Sequence, residues 1–506
     1  MGAEPEVPIR DRVETLQRGE RVEIDGATIA AKTFLADLYR RRDFRPLWSP
    51  AATVQLLDSV RAIEEDGLSP ADYHLTHLEA LLAEAQGDSE VRGLTDLLLT
   101  DAFLRLAYHT RFGKLDPEAL DSNWNFTGPL LSSDPVSAVQ AVIDSGGVRE
   151  FVDSLKPQHP FYGKLKAALR DYRGIAARGG WPAIPPGPTL KPGMSDTRIP
   201  VLRKRLAVTG DLDVTLANES STFDAPLETA VRAFQQRHGL KPDAAVGKAT
   251  VAALSVPVEA RIDQIRATLE RCRWVMHDLP REFVLVNVAG FQVFWIQGGE
   301  DTWESAAVVG KPYTRTPTFR ADMKYIVVNP TWTVPASIVR NELLPAMRRD
   351  PGYLARKRIR HIDGRYVQSA GDHNALGRIK LIFPNPHSVY LHDTPSKSFF
   401  QETSRTFSHG CVRVQKPFEL AALVLDDPAV TEQTLRQEAA KGKSRTLYLK
   451  RPLPVLILYW TASVARDGSL RFLPDVYHRD PAIVRGLNGP LVPLKRSRVV
   501  SSQPPH

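Results

Sequence analysis

The chain has 506 residues, enough for about three domains at roughly 100–200 residues each, which excludes a minimal binding module. Apolar residues make up 42% and charged residues 25%, with 8 Trp and 19 Phe, so packed cores are available and global disorder is excluded. The excess of Lys plus Arg (66) over Asp plus Glu (58) is a diffuse +8 with no basic arm or finger motif, which argues against nucleic acid and for an acidic substrate or surface. Cys272 and Cys411 show no metal-binding spacing and exclude a disulfide scaffold, while a single bridge between them stays open. The longest apolar stretch, Val455–Trp460, is too short to span a bilayer. Met1-Gly2-Ala3-Glu4-Pro5 lacks the basic and apolar regions of a signal peptide, so the chain is either cytoplasmic or a form whose export segment has been removed.

From Thr33 to about Arg178, apolar residues recur at helical spacing, as in Val91, Leu94, Leu98 and Ala102. Asp66-Gly67-Leu68-Ser69-Pro70 reads as a turn followed by a capped helix start. Residues 1–192 are thus predicted to form a helical scaffold, ending in a linker where Pro182, Pro185, Pro186, Pro188 and Pro192 favour extended geometry. Residues 193–257 then show three short helical stripes: Ile199, Leu202 and Leu206; Leu227, Ala230, Val231 and Phe234; Val246, Thr250 and Leu254. The run Ala230-Val-Arg-Ala-Phe234-Gln235, Gly239-Leu240, Asp243, Val246-Gly247 and Thr250 resembles the peptidoglycan-binding type 1 domain, which implies a wall-binding module. Ala244 departs from that pattern, standing where the family usually has glycine.

A connecting helix is expected within 258–280, and beyond it the period changes to two. Phe283–Val288 and Phe291–Ile296 flank Ala289-Gly290 as a hairpin, and further strands are predicted at Ala306–Val309, Lys324–Val328, Ser388–His392, Cys411–Val414, Thr446–Leu449, Leu456–Val464 and Leu470–Leu473. One helix is expected at Pro417–Leu425. Between Pro335 and Asp372 lies a basic segment with Arg340, Arg348, Arg349, Arg356, Lys357, Arg358 and Arg360, predicted to be a helical lid. The expectation is an α+β multidomain protein with a β-rich domain over 281–490 and a tail over 491–506.

The chemistry concentrates in His392-Asp393 and Ser408-His409-Gly410-Cys411-Val412-Arg413. A thiol becomes a nucleophile on losing its proton, so it needs an imidazole in reach and backbone amides for the developing oxyanion. Gly410 lets the backbone approach a substrate closely. In an extended strand Cys411 and Arg413 share one face, and the same parity puts Tyr390 beside His392. Thiol, imidazole, guanidinium and phenol together suit acyl transfer on a carboxylate-bearing substrate. Cys272, inside a helix, reads as a small buried hydrophobe. The papain and caspase patterns do not fit, since both order and flanks differ.

This segment resembles the L,D-transpeptidase (YkuD-type) catalytic domain, whose signature is a histidine, a short gap, then S/T-H-G-C-x-R/N. The resemblance covers about Arg281 to Lys450. The blocks Val328-Asn329-Pro330-Thr-Trp332-Thr-Val-Pro335, Arg348-Arg349-Asp350-Pro351-Gly352-Tyr353, Asn374-Ala-Leu-Gly377-Arg378 and Tyr390-Leu-His-Asp-Thr-Pro395 are similar to the large Gram-negative, YcbB-like class. It implies that Cys411 attacks a donor tetrapeptide stem, that His392 takes the thiol proton, and that the backbone carbonyl of Asp393 orients the imidazole. It also implies that the amides of Gly410 and Cys411 form the oxyanion hole, and that Arg413, Tyr390, His409, Ser408 and Trp332 line the substrate site. No cofactor and no metal are implied. The implied partners are donor and acceptor peptidoglycan stems, with cell-wall synthases as candidate associates, in the periplasm. The acceptor stays open between a second stem, water and a protein amine, and a silent wall-binding scaffold is disfavoured by the intact set of groups.

Overall fold

The structure is a computed structural model and describes residues 4–84, 88–126 and 134–490; the predicted tail, 491–506, lies outside them. The N-terminal region is helical and is organised around α1 (Ser89–Phe112), which is capped by Asp88 accepting from the Glu90 and Val91 amides. Leu97, Leu98, Phe103 and Leu106 of α1 are buried in the scaffold core. Its buried carboxylates are used as loop clamps: Asp96 accepts from the Leu47 and Trp48 amides, and Asp101 from those of Ala30 and Ala31.

Helix α2 (Pro160–Ala177) packs on α4 (Val258–Val275), the predicted connecting helix. Helix α4 serves two cores, because its apolar positions occupy more than one face. Ala267 enters the scaffold core, while Ile265, Leu269 and Cys272 meet Leu165 and Leu169 of α2 and strand residues Phe283, Leu285, Leu456 and Leu458 in a junction core. Cys272 is fully buried there, as expected of a packing thiol. Arg273 and Glu270 of α4 form a fully buried pair at 2.6 Å, and Arg273 also donates to the Asp66 carbonyl and the Tyr162 hydroxyl.

The small module is built on α3 (Ala225–Arg237), with Phe234, Leu227 and Val231 in its core. The Gln235 side chain knits its turn, donating to the Ala245 carbonyl and Thr250 Oγ1 and accepting from the Ala244 amide. Ala244 is buried with φ +63°, so the left-handed turn is kept although an alanine occupies it. The proline-rich segment is docked and not a free tether. Ile184 and Leu190 sit in the module core, and the Trp181 ring lies 3.9 Å from the Arg205 guanidinium.

The β-rich region is one sheet of nine strands: β1 (Glu282–Asn287), β2 (Gln292–Gln297), β3 (Glu300–Gly310), β4 (Phe319–Val328), β8 (Ile379–Ile382), β9 (Leu391–His392), β10 (Thr406–Ser408), β11 (Val412–Val414) and β12 (Arg445–Leu458). The numbers β5 to β7 belong to Trp332–Thr333, Ile359–Ile362 and Arg365–Gln368, which form a separate sheet in the lid. The order is β10-β3-β11-β9-β8-β4-β12-β1-β2, and β2 also pairs with β3, so the sheet closes on itself. One face carries Ile326, Val328, Ile379, Leu381, Leu391, Val412 and Val414 and is covered by α5 (Pro417–Leu425) and α6 (Glu432–Ala440) through Phe418, Leu420, Val424 and Leu435.

Four expectations are corrected. The lid is helical only to Arg356; Ile359–Gln368 is a hairpin whose Asp363-Gly364 turn has positive φ at both residues, the geometry a two-residue hairpin turn demands. The two predicted strands at Thr446–Leu449 and Leu456–Val464 share one long strand, β12, which ends at Leu458, while Ala462–Val464 starts a separate hairpin. Ser388 has φ +54° and Cys411 precedes β11, so neither lies in its strand. Finally, α7 (Asp480–Asn488) leaves the β-rich domain and buries Ile483 and Leu487 in the scaffold core.

Candidate active site

Cross-strand register assembles the site. Strand β8 runs antiparallel to β9, pairing Lys380 with His392, and β9 runs parallel to β11, pairing His392 with Arg413. Because the alternate residues Leu381, Leu391, Val412 and Val414 are the ones sealed under α5 and α6, this row of three lies on the opposite face. Tyr390 precedes β9 and Cys411 precedes β11, so phenol and thiol form the next row, where the Tyr390 hydroxyl lies near the Cys411 thiol and the Trp332 side chain.

His392 is buried, and its Nδ1–H donates to the Asp393 carbonyl at 2.5 Å, which leaves Nε2 as the basic nitrogen. Burial, then the positive charges of Arg413 and Lys380, push its pKa down to about 3, so the ring is neutral at ordinary pH. The Asp393 carboxylate points away, accepting from the Arg378 amide at 2.9 Å and pairing with Lys397. Gly377, at φ +62°, makes room for it; a Cβ there would lie 2.4 Å from the Asp393 side chain.

The catalytic loop is braced from within. Ser408 Oγ donates to the Cys411 carbonyl (2.5 Å) and accepts from the Gly410 amide (3.1 Å). Thr316 Oγ1 donates to the Gly410 carbonyl (2.8 Å) and accepts from the Gly310 amide (2.9 Å). The Gly410 amide, expected in an oxyanion hole, is therefore committed to Ser408, which itself braces the loop instead of facing a substrate. The Cys411 amide donates to no group among the described residues.

The Cys411 thiol is half-buried and donates to the Ser388 carbonyl at 3.6 Å, so its hydrogen points there and not at His392. Burial raises its pKa, opposed by Tyr390, Lys380 and Arg413. The thiol is thus protonated near neutrality, in contrast to a preformed thiolate–imidazolium pair. Arg413 has its Nε buried without a hydrogen bond and its guanidinium 5.8 Å from the Phe399 ring. His409 faces the lid, with Nε2 2.5 Å from Glu342 Oε1. Trp332 starts the lid sheet, pairing with Gln368.

Sequence reasoning missed Lys380, Thr316, Glu342 and Gly377 as parts of this assembly. Lys380 had a readable signal, a single charge alternating with Ile379 and Leu381 in an unassigned strand. Thr316 had none, since its work is to satisfy two backbone groups. Among the described residues no cluster suits a metal ion, and no helix is long and apolar enough to cross a membrane.

Comparison with known proteins bears on this geometry. Residues 281–436 match the L,D-transpeptidase catalytic domain of the YkuD family, residues 195–254 a peptidoglycan-binding domain, and residues 33–169 a scaffold domain. This chain carries the catalytic domain of an L,D-transpeptidase. It is 25% identical over 490 residues to a curated protein of Haemophilus influenzae named as an L,D-transpeptidase, covering 91% of this chain and 81% of the relative. Among solved structures, an L,D-transpeptidase of Xylanimonas cellulosilytica is 17% identical, covering 54% of this chain and all of that one, with a TM-score of 0.19. A second, an avibactam carbamoyl enzyme, is 13% identical over 40% of this chain and 61% of its own, with a TM-score of 0.20. The chain is therefore an enzyme with an L,D-transpeptidase catalytic domain, of peptidoglycan cross-linking or related acyl transfer, beside a peptidoglycan-binding domain.

Proposed function

We propose that this L,D-transpeptidase forms 3→3 cross-links between stem peptides through a thioester on Cys411, in the periplasm. The observation that carries the reading is the pairing of His392 with Arg413 across β9 and β11, beside the Cys411–Tyr390 row. Cys411 Sγ attacks the carbonyl at the L-centre of the donor's diaminopimelate, and its proton passes to Nε2 of His392 as the thiol turns from the Ser388 carbonyl. The C–N bond to the terminal D-Ala breaks, and D-Ala leaves as the amine with the proton that His392 held. The acceptor amine, on the D-centre of a second diaminopimelate, then attacks the thioester and restores the thiol.

The Cys411 amide is placed to meet the oxyanion, and the Gly410 amide joins it only by exchanging Ser408 Oγ for that oxygen. Tyr390, Arg413 and Trp332 position the donor, with His409 and Ser408 at the loop, and the basic lid closes over anionic stems. β-Lactams of the carbapenem type acylate the same thiol in this reading, and cell-wall synthases are its candidate associates.

The test is incubation with purified disaccharide-tetrapeptide, read by mass spectrometry beside Cys411→Ala. A Cys411-dependent dimer lacking one D-Ala is the expected product. Tripeptide monomer alone would indicate hydrolysis, and cross-linking retained by Cys411→Ala would overturn the assignment.

A further inference from the structure

Lys380 lies on β8 opposite His392, its Nζ 4.9 Å from the centroid of the Tyr390 ring. It is partly buried, yet among the described residues it has no carboxylate partner, and neither has Arg413. A desolvated ammonium without an anion is costly unless an anion appears during function. Tyr390, whose ring Lys380 covers, stands in the same cross-strand row as Cys411, with its hydroxyl near the thiol. Resting on the reading of Cys411 as nucleophile, we propose that Lys380 is a positioning residue whose ammonium, acting across Tyr390, stabilises the Cys411 thiolate as it forms.

The other charged or titratable groups around the thiol are accounted for. His392 is neutral and bound to the Asp393 carbonyl, Asp393 faces Arg378 and Lys397, and His409 is paired with Glu342 on the lid. Arg413, on β11 just beyond the thiol, lies near Phe399. Among the described residues Lys380 and Arg413 are therefore the two cations acting on the Cys411 sulfur. Burial lowers the pKa of Lys380, and the Cys411 charge opposes that shift. The thiolate and the ammonium thus hold each other charged.

The test is the pH profile of alkylation of the full chain by iodoacetamide, a neutral probe, with Cys411 followed by peptide mass spectrometry. The S–H proton goes to solvent, the S–C bond forms as C–I breaks, and iodide leaves; Cys272 is fully buried and serves as the unreactive control. Lys380→Met is expected to raise the apparent pKa of the Cys411 thiol by about one unit, slowing alkylation roughly tenfold at pH values below both. Lys380→Arg is expected to restore the wild-type profile, and Lys380→Gln serves should the methionine variant not fold. Identical profiles in wild type and Lys380→Met would overturn the proposal. So would an unshifted profile with a lost preference for iodoacetate over iodoacetamide, which would make Lys380 a receptor for substrate carboxylate. Because alkylation needs no substrate, cross-linking retained by Cys411→Ala would overturn the function proposed above and leave this result readable.

Discussion

At the residue scale the site couples a raised thiol to a lowered imidazole. Proton transfer from Cys411 to His392 is uphill in the resting enzyme, and substrate binding must supply the difference. His392→Gln keeps a side chain of similar reach but removes the base, so turnover in the tetrapeptide assay is expected to fall by about 10²–10⁴-fold with the fold intact by circular dichroism. With the His392 pKa near 3, the wild-type rate should show no inflection around pH 6.5, where an ordinary histidine titrates. Turnover unchanged in His392→Gln would assign the base to His409. Cys411 and His392 were legible in the sequence because their chemistry needs a short motif with glycine at the turn. The direction of the thiol was not, since the Ser388 carbonyl reaches it through a positive φ at Ser388 that nothing in the local sequence announces.

At the element scale the catalytic loop depends on a neighbouring segment for its shape. Thr316 is fully buried and joins the end of β3 to the loop through two hydrogen bonds, to Gly310 and Gly410. Thr316→Val preserves volume but leaves a buried amide and a buried carbonyl unpaired, at a cost of about 1–3 kcal/mol for each group. Denaturant unfolding should show a loss of about 2–6 kcal/mol, and turnover should fall because Gly410 loses its tether. A variant as stable and active as wild type would mean that water replaces both bonds. The strand after this loop, Val412–Val414, was readable from alternation, and the helix Pro417–Leu425 from its apolar stripe, whereas the short strand before it, Thr406–Ser408, was not. The lid hairpin was hidden because its strands, Ile359–Ile362 and Arg365–Gln368, are largely exposed and carry charges in place of an apolar face.

At the scale of the whole molecule the three parts are joined by buried groups that resist protonation. His238 of the wall-binding module stacks between Phe234, at 3.8 Å, and Phe472 of the catalytic region, at 5.7 Å. Burial lowers its pKa well below the ordinary value, and it lowers those of His109, inside the scaffold helix α1, and of the half-buried His277, beside the scaffold, to about 3 and about 4. The docking of the C-terminal helix and of the module was not legible in the sequence, because it rests on contacts between residues hundreds of positions apart, such as Ile483 with the scaffold core.

Between these lowered values and about 6.5 the unfolded chain binds protons that the folded chain does not. Stability is therefore flat above about pH 6.5 and falls as pH drops through that window, by up to about 1.4 kcal/mol per pH unit for each histidine. The half-buried carboxylates Asp134 and Asp196, lowered to about 2 by their hydrogen bonds, weaken the fold only below about pH 4. The buried Asp96 and the partly buried Asp72, raised by desolvation, oppose the histidines partially. Denaturant titrations between pH 4.5 and 7 should show stability rising with pH, and His238→Gln should flatten that slope by up to about 1.4 kcal/mol per unit while costing some packing at the junction. Equal slopes in the two proteins would mean that the module separates from the catalytic region before His238 takes up its proton, so that the three parts do not unfold as one.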